Sequence, residues 1–147
     1  MIKIYYPKFP FKIKEEGGKQ EFIFDELRKL WVRLTPEEWV RQNFVQYLVQ
    51  VKKYPPSYIA LERKIKLGDL NKRFDLLVFN KAAKPWMMIE CKAMDKPLDK
   101  TVLWQALHYN LAIPVKYLVV TNGQQCHAYK KAILDFEEMN VLPSYDE

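Results

Sequence analysis

Three side chains stand out for the chemistry their types and spacing allow. Glu90-Cys91-Lys92 ends an apolar run, Pro85-Trp86-Met87-Met88-Ile89, and a second apolar run upstream carries a single acid, Asp75. In a strand, residues i and i+2 face the same way, so Glu90 and Lys92 share a face and Cys91 points to the other. If the turn joining the two runs is centred between Ala82 and Ala83, Asp75 lies directly opposite Glu90. Cβ atoms in such a pair are roughly 4.5–5.5 Å apart. A slip of one residue would oppose Asp75 to Ile89 and turn it to the wrong face. Two carboxylates that close repel unless a cation sits between them. Mg2+ suits them, because it takes oxygen ligands, keeps several waters and binds through one or two carboxylates plus substrate phosphate. The backbone carbonyl of Cys91 offers a further oxygen, and Mn2+ can replace Mg2+. Lys92, beside the ion, would position and polarise an attacking water. The chemistry such a set supports is metal-assisted phosphodiester hydrolysis. The plainer reading pairs Asp75 and Glu90 with Arg73 and Lys92 on a solvated sheet end. The apolar character of both runs argues against it.

The elements that must position these residues follow from periodicity and punctuation. Residues 1–34 form an N-terminal extension: an aromatic, extended segment that packs on the body, a turn at Gly17-Gly18, and a hairpin of Glu21–Phe24 with Trp31–Leu34. Thr35-Pro36-Glu37-Glu38 starts a helix, with Thr35 as N-cap, Pro36 in the first turn and Glu38 completing a capping box. Val40, Phe44, Tyr47, Leu48 and Val51 recur at helical spacing, and Tyr54-Pro55-Pro56 ends the run. Ile59, Leu61, Arg63, Ile65 and Leu67 alternate as one side of a strand, with Gly68-Asp69 as its turn. Arg73–Phe79 and Trp86–Ala93 are the next strands, and Thr101–Leu111 is a helix. Val115–Thr121 and Gln125–Lys130 are two more strands joined at Asn122-Gly123, and the acidic tail from Asp135 suggests one last helical turn. The strand–helix–strand passage implies a parallel crossover. The expected fold class is α/β: a mixed sheet flanked by helices, spanning residues 35–147 as one domain with its N-terminal extension.

Composition sets limits. The chain has 147 residues, a net charge of +6 and a pI of about 9.2, a moderate bias toward a polyanionic partner. Lys72 and Arg73 precede Asp75, and Lys96 follows Glu90; these three are candidate phosphate contacts. Two cysteines and two histidines without metal-ligand spacing argue against zinc. No apolar run reaches membrane-span length and no signal-peptide core opens the chain, so a cytoplasmic protein without a membrane partner is expected. Trp39, Trp86 and Trp104 are expected to pack, and Glu62 to sit on a solvated strand edge.

Phe74-Asp75 followed by Glu90-Cys91-Lys92, in a helix–three strands–helix–strand order, resembles the PD-(D/E)xK nuclease superfamily. More closely, the stretch from Leu34-Thr35-Pro36-Glu37-Glu38-Trp39 to Thr121-Asn122-Gly123 resembles the N-terminal nuclease domain family of type I restriction enzyme R subunits. Phe74 stands where the superfamily motif has proline. The resemblance implies a restriction-endonuclease-like αβββαβ core and a Mg2+-dependent DNA endonuclease, with Asp75, Glu90 and Lys92 catalytic. It implies a supporting role for Gln105 and Tyr109, which match a Q-x-x-x-Y motif and share a helix face. It also points to Glu38 as a possible additional acid, since such folds often place one on the first helix. Relatives of this kind attach the nuclease to an ATP-driven motor. The sequence holds no G-x-x-x-x-G-K-[ST] loop, so a separate motor or specificity protein is an expected partner, and cutting both strands would suit a homodimer. The rival expectations are a catalytically silent nucleic-acid-binding module and a protein-interaction domain with the same fold.

Overall fold

The computed structural model describes residues 1–147 except for the side chains of Leu67 and Leu70. A small antiparallel sheet opens the chain: β1 (Ile13–Glu16), β2 (Gln20–Asp25) and β3 (Leu30–Arg33). The hairpin read from the sequence is β2–β3, and β1 extends it across the Gly17-Gly18 turn. Helix α1 (Pro36–Gln46) follows, continued by a π-helical turn over Tyr47–Val51. Thr35 caps it as expected, its Oγ1 accepting from the Glu38 N–H at 3.0 Å. The reciprocal half of the capping box is not used, because the Glu38 carboxylate turns to Arg41 instead.

The main sheet has six strands in the order β4 (Ile59–Leu67), β5 (Leu70–Phe79), β6 (Pro85–Cys91), β7 (Tyr117–Thr121), β8 (Cys126–Lys131) and β9 (Phe136–Met139). Only β6–β7 is parallel, and α2 (Lys100–Tyr109) makes the crossover. Asp99 caps α2 through the Val102 N–H at 2.9 Å. The tail after Asp135 is strand β9, not a helical turn. Glu137 and Glu138 pair with Lys130 and Tyr129 of β8, and Glu138 also meets the N-terminal amine and His127. Alternating side chains on an edge strand suit that sequence better than a helix without an apolar stripe.

The sheet separates two cores. On one face, α1 and the N-terminal segment bury Ile2, Val40, Phe44 and Leu48 against Leu76, Met87, Ile89 and Val119. On the other, α2 and its flanking loops bury Leu98, Ala106 and Ile113 against Phe74, Leu77, Met88 and Val120. Adjacent strand residues thus serve opposite cores, as expected for a sheet covered on both faces. The β7–β8 turn is fixed by Asn122, whose Oδ1 accepts from the N–H groups of Gln124 and Gln125. Gly123 sits there at φ +91, a backbone conformation that favours glycine.

One irregularity bears on function. Leu61 and Leu76 serve the α1-side core, whereas Phe74, and Ile65 beside it, serve the α2-side core. The alternation of β4 and β5 therefore reverses between them, at Glu62 and Asp75, and the expectation that Leu61 and Ile65 share a face is corrected. Glu62 adopts φ +52, a left-handed conformation costing a non-glycine residue about 1 kcal/mol.

Candidate active site

The β5–β6 ladder pairs Leu76 with Ile89, Leu77 with Met88 and Val78 with Met87. This is the expected register, and Asp75 and Glu90 are the next positions beyond its last pair. A bulge between Val78 and Phe79 absorbs one residue of the turn without disturbing it. Asp75, Glu90 and Lys92 line one cleft of about 720 Å3, together with Glu37, Lys96, Gln105 and Tyr109. Lys72, Arg73 and Trp104 complete its walls. The backbone of Cys91 lies against Asp75, its N–H donating to Oδ2 at 2.8 Å.

Each of the two acids has a cation beside it. Arg41 Nη1 is 3.5 Å from Asp75 Oδ1. Glu90 accepts from Asn110 Nδ2 at 2.9 Å and lies 3.8 Å from the Lys72 ammonium. Burial pushes the Asp75 carboxyl above its usual range, and nearby Glu90 adds to this, while the Cys91 N–H, Arg41 and Lys92 oppose it. Lys72 is only 4% exposed. It donates to Asn110 and sits 3.4 Å over the Tyr109 ring, and burial lowers its pKa. It therefore braces Glu90 and faces little solvent, whereas Arg73 and Lys96 are exposed.

Glu38 is not brought to the cleft. Its carboxylate is buried and held by Arg41 at 2.5 and 3.0 Å and by Gln42 Nε2 at 3.0 Å. The acid that α1 presents to the cleft is its neighbour Glu37. Burial raises its carboxyl, proximity to Asp75 raises it further, and Lys92 counters. The sequence carried a signal for this choice: Arg41 and Gln42 stand three and four residues after Glu38, the spacing of helix-face partners. Glu62 is not a bare edge residue either. It accepts from Arg28 at 3.2 Å and Arg41 at 3.0 Å, and forms an ion pair with Arg73 at 3.1 Å. Burial raises its carboxyl, and the three guanidinium groups more than offset that and hold it low. Trp104, expected to pack, is instead 63% exposed at the cleft wall.

These ion pairs close a ring. Asp25, 1% exposed at the end of β2, accepts from Arg28 Nε at 2.7 Å and from Gln42 Nε2 at 3.0 Å. Arg28 reaches Glu62, Glu62 reaches Arg41, and Arg41 returns through Glu38 to Gln42. The small N-terminal sheet is thereby tied to α1, to β4 and, through Arg41, to Asp75.

The sequence model of the type I restriction enzyme R protein N terminus matches residues 36–143, most of the chain. The chain belongs to that family. The R protein N-terminus match begins at α1 and ends beyond β9, so it takes in the whole six-stranded sheet and both helices, and leaves β1–β3 outside. No curated protein matches the chain in sequence. Membership in the R protein N-terminus family associates the cleft with a restriction system. Among the described residues, no three Asp, Glu, His or Cys side chains converge as a ready-made metal cage. A cation between Asp75 and Glu90 would take its other ligands from backbone oxygen, water and phosphate, a donor set that fits Mg2+. Among the described residues, no helix is long and apolar enough to cross a membrane.

Two outcomes follow from the ring. Arg41→Met strands three carboxylates beside an apolar group. Urea unfolding should show a loss of about 3 kcal/mol, the low end for a broken buried pair because Glu62 and Asp75 retain water. Asp25 tests the acid limb. Burial raises its carboxyl, but the Arg28 N–H, Gln42 and the Arg28 side chain outweigh it and hold the folded value below the usual one. A group depressed in this way stabilises above its unfolded pKa, near 4, and loses that contribution as pH falls through the folded value. Asp25→Asn should therefore flatten the fall in stability below about pH 4, and an unchanged slope would assign the acid sensitivity elsewhere.

Proposed function

We propose that this chain is a Mg2+-dependent DNA endonuclease domain of a restriction system, with Mn2+ able to replace Mg2+. One observation carries the reading: two acids on adjacent strands and the lysine two residues beyond one of them line a single cleft with basic walls. Family membership supports the restriction context. Asp75 and Glu90 would hold the divalent cation, with the Cys91 carbonyl as a further oxygen. Once bound, the ion supplies Lewis acidity at the scissile phosphate. Lys92 orients the attacking water and stabilises charge developing on the phosphate oxygens. Gln105 and Tyr109, one helical turn apart on α2, support the substrate side of the site. Arg73 and Lys96 contact phosphates and fix the position of the strand without reading sequence. Glu37 is a further acid at the cleft's edge. A motor or specificity protein supplies DNA handling, pairing of two chains allows cleavage of both strands, and the setting is the cytoplasm.

The direct test incubates the protein with supercoiled and linear DNA in Mg2+, Mn2+ or EDTA and looks for nicks. Metal-dependent products are expected. Salt-sensitive DNA retention without product would identify a catalytically silent binding module instead. Lys92→Ala should abolish cleavage while thermal stability and DNA binding in EDTA stay near wild type. Cleavage at the wild-type rate by that variant would remove Lys92 from the mechanism. Asp75→Ala should lose Mn2+ binding by calorimetry, and undiminished affinity would count against the carboxylate pair as the ion's holder.

A further inference from the structure

Trp104 is the feature of the cleft that the hydrolytic reading leaves unused. It is a large apolar side chain, 63% exposed on α2, in the same cleft as Asp75 and Glu90. Single exposed apolar residues are ordinary. This one is held in place: its ring stacks on His108, one helical turn along, with centroids 4.8 Å apart and planes within 9°. The pair forms a flat ridge. The basic cleft lies on one side, and on the other a second depression of about 220 Å3 is lined by Leu111, Leu134 and Phe136. An aromatic surface beside clustered cations is the combination that tracks a nucleic-acid strand, with charge taking the backbone and stacking taking the base.

We infer that the Trp104–His108 ridge is a stacking platform for an unpaired nucleobase flanking the cut, so that the substrate carries single-stranded character there. The inference rests on the nuclease reading and specifies its substrate class. A base in an intact duplex is stacked on both faces and cannot offer one to an indole. An unpaired base can lie over the ridge while its phosphates stay among Arg73 and Lys96. Charge favours this occupant over a protein partner, because the exposed side chains of Arg73 and Lys96 line the cleft that meets the ridge.

The test is fluorescence anisotropy in EDTA at low salt, which keeps binding apart from cleavage. The probes are a short single strand, the same strand with abasic sites, and the matching duplex. Trp104→Ala should weaken single-strand binding about tenfold, within the range for loss of one base–aromatic stack, and change duplex binding by less than about twofold. Trp104→Phe should keep most of the affinity. Abasic sites should lower the wild type to the level of Trp104→Ala and leave that variant unaffected. The side chain is exposed, so both variants should melt as the wild type does. Single-strand affinity unchanged in Trp104→Ala, or an equal loss on duplex, overturns the platform while DNA binding itself still stands. Unchanged DNA binding with loss of self-association gives the ridge to a protein contact and also overturns it. A wild-type chain that retains no probe at all removes the nuclease reading, and the platform with it.

Discussion

Two carboxylates set face to face at one end of a sheet are the constraint around which this molecule is arranged. Like charges on neighbouring strands repel, and burial raises the cost of ionising Asp75. The protein places a cation beside each: Arg41 beside Asp75 and Lys72 beside Glu90. Neighbouring cations let a carboxylate pair exist in a half-buried site.

Arg41 carries more than one charge relationship, which explains the ring around it. Its guanidinium serves Glu38, Glu62 and Asp75 at once, and a planar fork with five donors can do this where an ammonium cannot. Burial alone would make it easier to deprotonate, but the surrounding carboxylates raise its pKa and keep it charged. Glu62 takes up a left-handed backbone conformation at the point where the facing of β4 and β5 reverses. Three arginines on its carboxylate fix that conformation and help offset its strain. The reversal lets Phe74 pack on the α2 side although Leu76, two residues on, packs on the α1 side. Asp75 lies at that switch, where helices α1 and α2 both approach. The N-terminal sheet, outside the span shared with the family, enters the same ring through Asp25 and Arg28.

The parts of this arrangement that depend on local rules were legible in the sequence. The α1 cap, the β5–β6 register and the crossover helix each follow from a short pattern whose cause is local. What depended on three-dimensional competition was not. Glu37 and Glu38 are adjacent acids in one helical turn, and only the buried guanidinium of Arg41 decides which of them is consumed in structure. Trp104 reads as a packing residue because its neighbours Val102, Leu103 and Leu107 are apolar and do pack. Its own position on the helix turns it outward. The reversal at Glu62 left no mark in the alternation, since β4 continues to alternate in sequence across it. Strand β9 was hidden by charge: Glu137 and Glu138 suit an exposed edge, where unpaired backbone invites association and charge discourages it.

The location of the cleft follows from topology as much as from residue type. β6 and β7 run parallel and α2 must cross between them, so the chain leaves the sheet at the carboxyl end of β6. Crevices in open α/β sheets form outside such strand ends. Glu90 and Cys91 are the last residues of β6 in the ladder, and Lys92 continues it by donating its N–H to Thr121 at 2.8 Å. Three residues at one strand end thus receive both the rigidity of the sheet and access to solvent. The two helices then divide the surroundings. From one face, α1 supplies Arg41, the cation beside Asp75. From the other, α2 supplies Gln105, Tyr109 and the Trp104–His108 ridge along the open side of the cleft. Groups that hold the site in place are buried, and groups that would meet a substrate are exposed, because a single strand end cannot be both packed and approached from the same side.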